Sequence, residues 1–113
     1  STNYWAGAIK SCKDKGMELP TRAQLAQLAS NLYVDSNGNA ITIGANEDRT
    51  SNIKVKDEYK DNPTITLGNY WSSDDYDAYY AYRRGFDTTY TGGSDGYWEY
   101  KDSSYPRVVC ISN

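Results

Sequence analysis

The chain has 113 residues, a net charge of -3, 38% hydrophobic residues and 14% aromatics. That length suits one compact domain, and the aromatic content argues against a disordered chain. The acidic balance excludes a phosphate-tracking nucleic-acid binder and attraction to anionic membranes, and no apolar run is long enough to cross a bilayer.

The first periodic segment predicts a helix over 4–15. Thr2 or Asn3 can cap it, and Gly16 follows it. Trp5, Ala8, Ile9 and Cys12 fall on one face and should point to the core. The abrupt opening on this helix suggests a piece excised from a longer protein. The sequence "ELPTRAQLAQLASNLY" predicts a second helix from Arg22 to about Leu32. Thr21 and Gln24 have capping-box spacing, and Leu25, Leu28, Ala29 and Leu32 form the apolar stripe.

The sequence "DSNGN" at 35–39 reads as a turn, with a short strand expected over 40–43. It departs from a calcium loop, because Ala40 and Asn46 occupy positions that need glycine and glutamate. The charged stretch 47–63 reads as an exposed insertion holding a short strand or helix. From Ile65 onward, strand-like pieces alternate with turns: "TITLG", "NYWSS", "AYYAYRRGF", "GYWEYK" and "RVVCI". Residues 74–77 read as one of those turns. The last piece is short and apolar, so a central, buried terminal strand is expected there. Two helices followed by mostly antiparallel strands make an α+β domain.

In "AYYAYRRGF", Tyr80, Tyr82, Arg84 and Phe86 share one face, while Tyr79, Ala81, Arg83 and Gly85 share the other. Phe86 assigns the first face to the core, so Tyr79 and Arg83 should look outward. Nine of the twelve tyrosines lie between Tyr70 and Tyr105, interleaved with Ser, Gly, Asp, Arg and Trp98. This is the composition of a binding surface: rigid aromatic area with adaptable polar contacts. The candidate ligand-binding residues are Tyr79, Tyr80, Arg83, Asp87, Tyr90, Tyr97, Trp98, Tyr100, Asp102 and Tyr105. The expected partner is a protein or other macromolecule, not nucleic acid, with no membrane insertion by this chain.

The chain has no histidine and two cysteines, Cys12 and Cys110. Either these are buried free thiols or they pair and join the two ends. A disulfide would place the protein outside the cytoplasm, extracellular or at the cell surface. No metal-ligand spacing is present, and no metal or cofactor is expected. For catalysis only the carboxylates Asp74, Asp75 and Asp77 cluster, and a solvated acidic turn accounts for them better than an enzyme does.

The order of motifs resembles that of bacterial C-type-lectin-like domains. A cysteine on a first helix is followed by "LPT" opening a second helix with "QLAQL", then "YWSS", then a terminal "V-C" strand. The likeness covers most of the chain. It implies a C-type-lectin-like fold and a Cys12–Cys110 disulfide. The Tyr-, Asp-, Ser-, Gly- and Arg-rich final third is similar to the variable region of diversity-generating retroelement proteins. That similarity implies a diversified ligand-binding region over 69–108, used for receptor recognition or adhesion and displayed on a surface or pilin-like carrier. The alternative is a pilin-like assembly subunit whose tyrosines pack on neighbouring subunits. The Glu-Pro-Asn, Gln-Pro-Asp and Trp-Asn-Asp motifs of calcium-dependent sugar binders are absent, so that mode of binding is not expected.

Overall fold

The computed structural model describes residues 2–61, 67–87 and 93–112. Helix α1 spans Tyr4–Lys13, with the Asn3 side chain accepting the Ala6 N–H as its N-cap. Helix α2 spans Arg22–Leu32, and the Thr21–Gln24 capping box is formed in both directions. Its neighbour in sequence, strand β1 (Tyr33–Asp35), pairs antiparallel with β3 (Ile53–Val55). Between these strands, Asp35 Oδ1 accepts the N–H groups of Asn37 and Asn39, which fixes the "DSNGN" turn. The strand expected over 40–43 does not form. Only a single bridge joins Ala40 to Val34, and Ile43 instead donates its N–H to the Ser30 hydroxyl on α2.

Among the described residues the main sheet has five strands: β2 (Arg49–Thr50), β4 (Gly68–Asp75), β5 (Tyr80–Phe86), β6 (Ser94–Asp95) and β7 (Trp98–Tyr100). Its order is β2-β6-β5-β4, with β7 pairing β5 beyond the end of β6. All the strand pairs are antiparallel. The molecule is therefore α+β. Of the expected strand at 64–68, all but Leu67 and Gly68 lies outside the described residues.

The two helices cover opposite faces of this sheet. On one face Tyr70 and Phe86 join Leu25, Ala26, Ala29 and Leu32 of α2, with Tyr33, Ile43 and Ile53 completing the cluster. On the other, Trp71 and Ala81 pack with Ala8 and Cys12 of α1 and with Leu19. The expectation of one buried and one solvated face on β5 is thus corrected. The strand is covered on both sides, but by different helices at different points along its length.

The "LPT" and "YWSS" segments meet at an irregularity. Trp71 faces Arg83 and Asp75 faces Ala81, so β4 places Ser72, Ser73 and Asp74 between these pairs where β5 places only Tyr82. The extra residues bulge, and their polar groups find partners outside the ladder. Ser73 donates its N–H to the Pro20 carbonyl, the Ser72 hydroxyl donates to the Tyr82 carbonyl, and the Ser72 carbonyl accepts from the Trp5 indole. Residues 74–77 are consequently not all turn. Asp74 and Asp75 end β4, and the chain reverses over 76–79.

Cys12 and Cys110 form a disulfide, with their Cα atoms 5.4 Å apart. The tail that carries Cys110 corrects another expectation, because it is not a central strand. Arg107 makes a parallel bridge to Tyr70, Ile111 makes an antiparallel bridge to Glu18, and nothing between them pairs. Val108 is exposed, and Val109, Cys110 and Ile111 are only half-buried. With β5 already occupying one edge of β4, the tail runs past as a strap pinned at two bridges and one disulfide. No helix among the described residues is long and apolar enough to cross a membrane.

Candidate functional site

Because each helix covers only part of its sheet face, two portions remain uncovered by the described residues. The first carries rings. Cross-strand register sets Tyr80 opposite Tyr100 and Tyr82 opposite Trp98, so all four project from the same face as Phe86. Tyr76 reaches over from the β4–β5 turn. Its ring stacks on Trp98 with centroids 4.9 Å apart and meets Tyr80 and Tyr82 edge-on at 6.2 and 5.4 Å. Tyr80 and Tyr100 lie 4.4 Å apart. These are the offset and edge-on geometries that ring quadrupoles favour. The group stays open to solvent: Tyr76 is 45% exposed, Trp98 37% and Tyr100 55%, and neighbouring Tyr79 reaches 72%.

Electrostatics shape this patch. The Tyr80 phenol is pushed up to about 12, first by its hydrogen bond with Tyr100 and then by burial, with the Asp77 charge adding to it. Tyr82 is also raised, chiefly by the 2.8 Å hydrogen bond it donates to Glu47. The Arg22 guanidinium lies 3.6 Å from the centroid of the Tyr82 ring. A shallow cleft of about 200 Å³ opens beside Tyr79 and Tyr100, lined also by Asn3, Lys101 and Asp102.

The aspartates beside the rings have structural duties. Asp74 accepts the backbone N–H of Arg22 in the first turn of α2 at 2.7 Å, where a carboxylate complements the helix dipole. Asp75 pairs with Lys101 at 2.7 Å. Asp77 Oδ1 accepts the N–H groups of Tyr79 and Tyr80, which closes the turn. These charges anchor the reversal from β4 to β5.

The second uncovered portion, on the α1 side of the sheet, is a polar cleft of about 480 Å³. Arg83 and Asp95 sit at its centre. Arg83 Nη1 pairs with Asp95 Oδ1 at 2.6 Å, and Arg49 holds the other carboxylate oxygen at 3.0 Å. Arg83 Nε lies 3.6 Å from Glu99, beyond hydrogen-bond reach. Gly85 forms the floor: a Cβ there would strike Asp95 and come within 3.1 Å of Asn69 Oδ1. Asn69 Nδ2 contacts the Tyr105 hydroxyl at 3.0 Å, leaving Oδ1 buried without a partner. In the opposite amide orientation the Tyr105 hydroxyl would donate to Oδ1.

Behind the cleft, Arg84 is buried at 2% exposure on the α2 side. It donates to the Gly44 carbonyl at 3.1 Å, and burial lowers its proton affinity. Gly96 gives it room, because a Cβ there would collide with the guanidinium and with the Asn46 carbonyl.

The structure thus divides the sequence-derived candidates. Tyr80, Trp98 and Tyr100 join the ring patch, with Tyr79 and Asp102 at its border. Arg83, Asp87 and Tyr105 line the polar cleft. Arg83 was expected to look freely outward; its side chain is instead only 15% exposed and tied to carboxylates. Tyr97 is half-buried, with its ring 6.3 Å from Trp98. Tyr90 lies outside the described residues. Sequence reasoning missed Tyr76 and Tyr82, although they sit in the same tyrosine run. It also missed Arg49, Asn69 and Asp95, which only strand pairing brings together.

No protein-family model, curated protein or solved structure matches this chain. No group of three or more acidic, histidine or cysteine side chains among the described residues is arranged to hold a metal ion.

Proposed function

We propose that this chain is a non-catalytic recognition domain with a C-type-lectin-like fold. Its uncovered aromatic patch would engage a macromolecular partner in receptor recognition or adhesion outside the cell. The observation that carries the reading is the ring cluster around Tyr76. Five aromatic side chains lie against one another on the part of the α2-side sheet face that the described residues leave largely uncovered, and three of them are more than a third exposed. Burying such rings against one another and under α2 would serve stability better. Holding them rigid and open serves contact, because little side-chain entropy is then lost on binding. The disulfide is compatible with an oxidising location. The tyrosine-rich span 69–108 supports the further reading of a diversified region, by its likeness to retroelement variable proteins.

Recognition is tested by probing an array of surface and secreted proteins with the purified domain and with Tyr76→Ser, Trp98→Ser and Tyr100→Ser variants. A partner held by the native chain and lost by the variants, with melting temperatures within a few degrees of the native value, is the expected result. Equal binding by all four proteins would refute it. Concentration-dependent self-association abolished by the same variants would instead favour the assembly-subunit reading. Diversification is tested separately, by sequencing the gene across related isolates for substitutions concentrated in codons 69–108.

A further inference from the structure

The ring patch has a chemical preference written into its border. Asp77 and Asp102 are exposed beside it, and neither has an ion-pair partner among the described residues. Glu47 sits at the Tyr82 end, and the exposed Asp75 flanks Asp77. The basic residues close by are already engaged. Lys101 Nζ is held by Asp75, by the Asp77 carbonyl and above the Trp5 ring, and its side chain is only 12% exposed. Arg22 lies flat on Tyr82.

We propose that the patch recognises a basic segment of a protein partner, with Lys or Arg side chains laid on the exposed faces of Tyr79, Trp98 and Tyr100 and steered by Asp77 and Asp102. The inference rests on the recognition reading above and adds the partner's charge to it. Electron-rich ring faces attract cations, and the attraction grows where carboxylates lie alongside. The fold already uses this chemistry internally, with Arg22 over Tyr82 at 3.6 Å, Lys101 over Trp5 at 4.6 Å and Arg83 near Tyr97 at 5.9 Å. The shallow cleft between Tyr79 and Tyr100, with Asp102 in its lining, offers a seat for one such side chain. Phosphate-bearing partners would meet repulsion from the same carboxylates, so a nucleic acid or an anionic membrane is disfavoured.

The test is a set of three synthetic peptides free of aromatics, one rich in Arg and Lys, one rich in Asp and Glu, and one neutral, titrated into isotope-labelled protein and followed by NMR. At about 20 mM salt, where screening extends roughly 20 Å, the basic peptide should shift the Trp98 indole and the amides of Tyr79, Tyr80 and Tyr100. Its affinity should fall about tenfold by roughly 0.5 M salt. It should weaken about threefold in each of Asp77→Asn and Asp102→Asn, consistent with exposed charge pairs. Among the described residues the Asp102 side chain accepts no hydrogen bond, so its variant isolates charge from folding. No shift at the patch, equal response to the acidic peptide, or shifts confined to acidic residues elsewhere such as Asp57 and Glu58 would overturn the proposal. Equally tight binding of the neutral peptide would overturn the charge preference alone. The recognition reading fails separately, by indifference of the protein array to the aromatic variants.

Discussion

Replacing both Cys12 and Cys110 by alanine should cost this molecule about 4.7 kcal/mol in the chain-entropy view. The magnitude follows from the span, since the crosslink closes a loop with a sequence separation of 98. Few features would compensate, because the tail is otherwise held by two isolated bridges. Unfolding entropy of about 2.1 cal/mol/K per residue gives about 0.24 kcal/mol/K for 113 residues. The melting temperature should therefore fall by about 20 °C. Near-UV circular dichroism, dominated by packed rings such as buried Trp71, reports the transition. Hydrogen exchange adds a spatial check: the amides of Glu18 and Ile111, which bond each other's carbonyls, should lose protection before those of α2. A fall of less than about 8 °C, or uniform loss of protection, would refute the reasoning and show that α1 and the tail are held by packing instead.

Asp74→Ala should destabilise by about 1–2 kcal/mol in urea melts, through the lost charge-assisted bond to the α2 amide end, while Asp74→Asn should cost less. Gly93→Ala should cost at least about 2 kcal/mol, because φ is +67° and a Cβ would strike the Thr50 carbonyl. In a spectrophotometric titration Tyr80 should ionise near 12, and Tyr100→Phe should bring it back toward the ordinary tyrosine range. Tyr33 is raised by burial first and by the Asp87 charge next, so the unfolded chain releases that proton before the folded one does. Stability from Tyr33 is thus complete below about pH 10 and lost as pH rises beyond it, which alkaline denaturation of Tyr33→Phe against the native chain would reveal.

Local signals in the sequence carried the helices well. Thr21 and Gln24 marked the start of α2, and the leucine stripe marked its buried face. The alternation of side chains along β5 also matched, because register in an antiparallel pair is a local, period-two property, but its division into one core face and one outward face did not, since each side is covered by a different helix. The tail misled because "RVVCI" has strand composition but meets only two isolated bridge partners. Composition reports what a segment can bury, not which edge is left for it to join. The acidic run 74–77 misled for a related reason: its partners, Arg22 and Lys101, lie far away in sequence. The polar cleft was illegible for the same cause, since Arg49, Asn69, Arg83 and Asp95 come from four different strands. The likeness to a lectin-type domain ran through "LPT" and "YWSS", and these two segments touch in space at the β4 bulge.

The staggered cover that α1 and α2 give the sheet makes the molecule two-sided. Successive residues of β5 point to opposite sides of the sheet, so Tyr82 belongs to the ring patch and Arg83 to the polar cleft. The backbone of a single strand is the wall between them. Changes in the rings at Trp98 or Tyr100 and changes at Asn69 or Tyr105 share no side-chain partner, and their effects should add. Either side can then be remodelled while the other keeps its shape, and the strand between them need not move.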